Sequence, residues 1–167
     1  IRPPHGDLGR GLKELGTGES WAVVSKRDEY NAALYSPGVK WNVSPGNSTH
    51  PTELFGPVLG ATRTRNLNEA VDLVHQTEYG LTSGLESFSD REQRHWMVSV
   101  KADNLYVNRP TTGAIVLRQP FGGMGKSAFG PGIKAGRPNY VAQLMRFSPS
   151  ASDDSDGRKR QTLQAQE

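Results

Sequence analysis

Apolar positions along the chain fall into short groups whose spacing changes from strand-like to helix-like and back. Trp21-Ala22-Val23-Val24 and Val39-Lys40-Trp41-Asn42-Val43 are brief apolar stretches set among Gly, Pro and Ser, and they predict two short strands in an irregular first third. Val58 to Thr64 predicts a third strand. Beyond it, Leu67, Ala70, Val71 and Val74 recur at helical spacing, and Asn66 with Glu69 three residues later forms a helix-start signature. Gly80 is placed to end that helix as a C-terminal cap. Leu81 to Ser87 predicts the next strand. Ser89-Asp90-Arg91-Glu92 is a second helix start, with Trp96, Met97 and Val100 on its inner face, and Leu105 to Asn108 is one more strand.

Strands alternating with helices of about ten residues predict an α/β fold with a partly parallel sheet, since each crossover helix covers one sheet face. In such folds ligands meet loops beyond the carboxyl ends of strands, which makes the loop after Asn108 the first place to look for a site. Asn139 to Phe147 alternates Tyr140, Ala142 and Leu144 with Val141, Gln143, Met145 and Phe147, predicting a C-terminal strand that covers a sheet edge or a neighbouring subunit. Residues 148–167 hold five Ser or Thr, many charges and a single large aliphatic, Leu163. They are expected to form a disordered polar tail.

Composition narrows the chemistry. The 19 Gly and 11 Pro among 167 residues favour turns and close backbone contacts over long helices, which excludes a helical bundle. Counted with Gly and without Tyr, apolar residues make up roughly 43% of the chain, globular but just under the usual ~45–50%. The formal charge is +3, but Lys and Arg are interspersed with 17 acidic residues, so the clustered footprint of a nucleic-acid binder is missing. With no Cys, a disulfide framework, a Cys-ligated metal and a thiol nucleophile are all excluded within this chain. No apolar run approaches the length of a membrane span.

Gly122-Gly123-Met124-Gly125-Lys126-Ser127 ends like a phosphate-binding loop but fails on spacing. Position 120, where that motif needs Gly, is Pro, and Ala128 stands where a dinucleotide fingerprint needs its third Gly. The alternative is a tight structural turn. His5, His50, His75 and His95 share no metal-ligand spacing, and no serine-hydrolase elbow is present.

Two strings carry further meaning. Glu53-Leu54-Phe55-Gly56-Pro57-Val58 resembles the E-x-F-G-P-V segment of the aldehyde dehydrogenase superfamily. Thr112-Gly113-Ala114-Ile115-Val116, with Gln119-Pro120-Phe121-Gly122-Gly123 beyond it, resembles the substrate-anchoring loop of the delta-1-pyrroline-5-carboxylate (L-glutamate gamma-semialdehyde) dehydrogenase branch. Lys126-Ser127, Gly130-Pro131-Gly132, Lys134-Ala135-Gly136 and Pro138-Asn139-Tyr140 extend the likeness, with Arg137 standing where the branch usually has Gly.

The resemblance implies a partial catalytic domain over residues 1–147, with a mixed, mostly parallel sheet and the tail following. It implies oxidation of glutamate semialdehyde to glutamate in proline catabolism, with NAD or NADP as cofactor. Glu53 would accept hydrogen bonds from the nicotinamide ribose hydroxyls, and Phe55 would pack near the nicotinamide. The Gly113 and Ala114 backbone N–H groups would hold the substrate α-carboxylate, and Phe121 would flank its aliphatic stem. Without the resemblance, Glu53 reads as an exposed strand-start residue, Phe55 as a core aromatic, and the Ala114-Ile115-Val116-Leu117 run as partly core.

The family reaction needs a thiolate that attacks the aldehyde, hydride transfer to the cofactor, and a Glu-assisted hydrolysis. Lacking Cys, and starting at Ile1 instead of Met, this chain is expected to be the C-terminal portion of such an enzyme, inactive and poorly stable by itself. The complete protein is expected to be a homo-oligomer acting on a small molecule in the cytoplasm, or in the mitochondrial matrix if eukaryotic. The competing expectation is a noncatalytic, degenerate paralogue that serves as an interaction module.

Overall fold

The structure is a computed structural model, and it describes residues 2–115, 118, 121–129 and 140–148. A short helix α1 (Gly6–Gly11) precedes β1 (Ser20–Val23), β2 (Gly38–Trp41) and β3 (Val58–Ala61), which form one sheet in that order. β1 and β2 are antiparallel, with an irregularity between Trp21 and Val23. β2 and β3 are parallel, Gly38 opposite Val58 through Trp41 opposite Ala61.

Helix α2 (Leu67–Gln76) begins where the sequence places it, since the Asn66 side chain accepts the Glu69 N–H at 3.0 Å. Strands β4 (Tyr79–Gly80) and β5 (Thr82–Leu85) follow, then helix α3 (Asp90–Ser99), capped by Ser89 on the Glu92 N–H, and β6 (Asn104–Val107). β5 and β6 lie parallel on either side of α3 in sequence, a β-α-β unit. β7 (Met124–Gly125) pairs antiparallel with β4. The fold is mixed α/β, and its longer parallel ladders are β2–β3 and β5–β6.

The core is small. Val71 of α2 packs with Trp96 of α3 and Val100 at its C-terminal cap, and Leu67, Leu85, Leu105 and Val107 close around them. Many other apolar side chains face solvent, among them Tyr30, Phe88, Phe129 and Phe147. Among the described residues these aromatics are left without apolar cover.

Three sequence expectations need correction. α2 ends at Gln76 with Thr77 as its cap, and the left-handed residue after it is Glu78, at φ 62°, not Gly80. Gly80 lies in β4, where a Cβ would stand 2.7 Å from the Lys101 carbonyl oxygen; close approach, not capping, demands glycine there. Met97 is 46% exposed, because α3 turns Trp96 and Val100, four residues apart, inward and leaves Met97 to one side. The expected C-terminal strand is instead a 3-10 helix over Val141–Leu144. No neighbouring strand pairs with it among the described residues, and its backbone is satisfied locally, as in the Met145 N–H bond to the Ala142 carbonyl at 3.2 Å. Of the run expected to be partly core, Ala114 and Ile115 are exposed. Val116, Leu117, residues 130–139 and the tail from 149 onward lie outside the described residues.

Candidate functional site

Three segments carry the residues singled out by sequence, and each is held by a different set of contacts. The first is Glu53 to Pro57, entering β3. α1 packs beneath it through two glycine contacts. A Cβ on Gly11 would lie 2.8 Å from Leu54 Cδ1, and a Cβ on Gly56 would lie 2.2 Å from Leu8 Cδ1. Leu54 and Leu8 thus interlock with backbone, while Glu53 and Phe55, on either side of Leu54, face outward.

Phe55 has a φ of 50° and is 85% exposed. A bulky residue in the left-handed region is rare and is tolerated where its surroundings fix the chain. Here the Gly38 N–H bond to the Pro57 carbonyl at 2.9 Å and the Val58 N–H bond to the Gly56 carbonyl at 2.8 Å pin the segment's end. The exposure rules out Phe55 as a core aromatic within this chain. The Glu53 carboxylate is exposed and has no hydrogen bond or ion pair among the described residues, so both oxygens are open to donors.

The second segment leaves the carboxyl end of β6. Asn108, at φ 52°, exchanges two hydrogen bonds with the backbone of Ser87, and its N–H bonds to the Leu85 carbonyl at 2.9 Å. Thr111 packs on β5, its Cγ2 2.6 Å from where a Gly84 Cβ would be. The Arg109 guanidinium stacks over the Tyr106 ring, 4.3 Å from its centroid, and donates to the Thr112 carbonyl at 3.3 Å. Gly113 follows at φ 90°, a conformation that requires glycine. Among the described residues neither the Gly113 nor the Ala114 N–H has a partner, and both residues are exposed. Two unengaged amides at a glycine turn suit a carboxylate.

The third segment is the glycine-rich stretch from Phe121. It is a structural turn. β7 pairs with β4, the Lys126 N–H bonds to the Glu78 carbonyl at 2.9 Å, and the Asn104 side chain donates to the Gly122 carbonyl at 3.2 Å. The Lys126 ammonium sits 2.5 Å from Glu78 Oε2, which raises its pKa and lowers that of Glu78 through their shared hydrogen bond. Its charge is thus engaged by a carboxylate. Phe121, 37% exposed, lines a cleft of about 300 Å³ with Leu81, Ser127 and Phe129.

No hydrogen bond, ion pair or ring contact among the described residues joins these three segments to one another. Asn104, at the amino end of β6, holds the Phe121 segment at the Gly122 carbonyl and bonds to the Leu81 carbonyl beside β5, whereas the Gly113 loop leaves the carboxyl ends of these strands. Sequence reasoning missed the supports: Leu8, Gly11, Asn108 and Thr111. Asn108 at a strand end was the one legible signal, since Asn tolerates the left-handed region and bonds nearby backbone.

The profile described as "Aldehyde dehydrogenase family" matches residues 10–148. The chain belongs to the aldehyde dehydrogenase family. Among aldehyde dehydrogenases, it is similar to the bifunctional protein PutA of Rhizobium meliloti, 48% identical over 58% of this chain and 8% of that protein. It is also similar to 1-pyrroline-5-carboxylate dehydrogenase 2 of Halalkalibacterium halodurans, 35% identical over 80% of this chain and 26% of that one. Of solved structures, proline utilization A from Corynebacterium freiburgense aligns with a TM-score of 0.82 at 46% identity, over 90% of this chain and 16% of that chain. The Thermus 1-pyrroline-5-carboxylate dehydrogenase with bound NAD aligns at 0.71 and 33% identity, over 83% and 27%. The chain therefore spans about a quarter or less of these relatives.

Proposed function

We propose that this chain supplies the ribose-binding and carboxylate-binding walls of a dehydrogenase that oxidises L-glutamate gamma-semialdehyde to glutamate in proline catabolism. The observation that carries this reading is the pair of unengaged polar groups on rigidly supported loops: the free Glu53 carboxylate, and the Gly113 and Ala114 amides at a turn that only glycine fits. The relatives named as pyrroline-5-carboxylate dehydrogenases and PutA support the substrate.

The residues present fit a nicotinamide cofactor. The Glu53 oxygens would accept the ribose hydroxyls, and the exposed Phe55 ring would cover an apolar face of the nicotinamide. When bound, NAD accepts a hydride from the substrate carbon. The Gly113 and Ala114 N–H groups would orient the substrate by its α-carboxylate, and Phe121 would exclude water from its aliphatic stem. NAD is the choice supported by the Thermus relative, which was solved with NAD bound; NADP shares the ribose that Glu53 would hold. The thiolate of the reaction would have to come from outside these residues, since the chain has no Cys. The complete enzyme is read as a homo-oligomer of the cytoplasm, or of the mitochondrial matrix in a eukaryote. No helix among the described residues is long and apolar enough to cross a membrane.

The test is a chimera in which this chain replaces the matching segment of the Corynebacterium freiburgense protein, assayed for NAD reduction with glutamate semialdehyde. The reading expects activity in the chimera and none in the isolated chain. A folded chimera without activity, or an active isolated chain, contradicts it.

A further inference from the structure

A buried polar cluster that the proposed chemistry does not use joins Lys40, Thr49 and Glu19. Lys40 points from the middle of β2 into the protein, and its side chain is 2% exposed; that of Glu19 is 0% exposed. The Lys40 ammonium donates to Thr49 Oγ1 at 3.1 Å, and Thr49 Oγ1 donates to Glu19 Oε2 at 3.2 Å. The same oxygen accepts the Gly16 N–H at 2.8 Å and lies 3.8 Å from the Lys40 ammonium, which also sits over the Trp21 ring.

Burying two charges costs heavily in desolvation, and such pairs are weak sources of net stability. What this cluster does is fix one hydroxyl. Thr49 is held as both acceptor and donor, four residues before Glu53. Its neighbours are tied as well: the Asn47 amide donates to the Thr17 carbonyl at 3.1 Å, and His50 Nε2 is 3.1 Å from the Leu73 carbonyl. Beyond Glu53 in sequence, Leu54 and Gly56 lock onto α1.

We propose that the buried Lys40–Thr49–Glu19 chain is a positioning device for the Glu53 carboxylate, setting the loop that presents it to the cofactor ribose. The role rests on the reading of Glu53 given above. Thr49 then acts through Glu53 and touches neither cofactor nor substrate.

Two measurements test it. In the full 167-residue chain, hydrogen exchange of Thr49→Val should rise over residues 47–57 and stay unchanged over 82–107, the β5–α3–β6 unit. In the active chimera, Thr49→Val should raise KM for NAD about 3- to 10-fold, the loss expected when a charged hydrogen bond is misaligned. KM for glutamate semialdehyde should change less than about 2-fold, and Thr49→Ser, which keeps the hydroxyl, should restore NAD binding. Uniform exchange changes, no change over 47–57, or an equal rise in both KM values would overturn the proposal. An inactive chimera would contradict the dehydrogenase reading, while the exchange result would still decide whether Thr49 holds the loop.

Discussion

Asn108 and Ser87 exchange two hydrogen bonds, the Ser87 N–H to Asn108 Oδ1 at 2.9 Å and the Asn108 amide to the Ser87 carbonyl at 3.0 Å. That pair closes the carboxyl ends of β5 and β6 and sets the direction in which the Gly113 loop departs. Asn108→Ala removes both bonds and places Ala at a positive φ. The expected loss is about 1–3 kcal/mol in chemical denaturation of the chimera, with KM for the semialdehyde rising while KM for NAD holds.

Gly56 allows α1 to meet the loop that carries Phe55. Gly56→Ala would bring a Cβ to 2.2 Å from Leu8 Cδ1. Overpacking of this kind costs about 1–3 kcal/mol, and adding Leu8→Ala should recover part of that loss. A thermal melt of the single and double variants checks it; an unchanged single variant would show that α1 does not seat there.

Trp96, 3% exposed, is the largest side chain of the α2–α3 core. Trp96→Ala should cost about 3–5 kcal/mol. For a chain with so little buried surface, that abolishes any cooperative transition in calorimetry. The wild-type chain itself should melt broadly, and more sharply in the chimera.

The exposed Lys126–Glu78 pair makes a pH- and salt-dependent contribution. Hydrogen bonding lowers the Glu78 pKa below its ordinary 4.5 and raises that of Lys126 above its ordinary 10.5. The stabilisation from Glu78 is therefore present above pH 4.5 and is lost as pH falls through its depressed value. That from Lys126 is present below pH 10.5 and is lost as pH rises through its elevated value. Side-chain NMR titration should show the Glu78 displacement shrinking in Lys126→Met, the Lys126 displacement shrinking in Glu78→Gln, and both shrinking in high salt.

The parts of this architecture written locally were legible in the sequence. Asn66 and Ser89 cap their helices because the signal and the hydrogen bond lie within four residues. Val71, Trp96 and Val100 were visible as a helical face. What escaped depends on distant chain. Lys40, between Val39 and Trp41, has the pattern of a solvent-facing strand residue, and Glu19, Thr49 and the Trp21 ring, all distant in sequence, make its burial possible. Gly80 looked like a helix cap because its reason, the Lys101 carbonyl, lies 21 residues away in sequence. The alternation from Tyr140 to Phe147 called for a strand, but a strand needs a partner to bond with, and the local 3-10 turn satisfied the backbone instead. For the site, Glu53, Phe55, Gly113, Ala114 and Phe121 were found through resemblance, whereas their supports were visible only in the fold.

The most direct test is a crystal structure of the active chimera with NAD and glutamate bound. The account predicts the Glu53 carboxylate on the nicotinamide ribose hydroxyls and the Gly113 and Ala114 N–H groups on the glutamate α-carboxylate, in one cleft. Ribose and carboxylate held by other residues, with Glu53 and the Gly113–Ala114 turn facing separate surfaces, would contradict it.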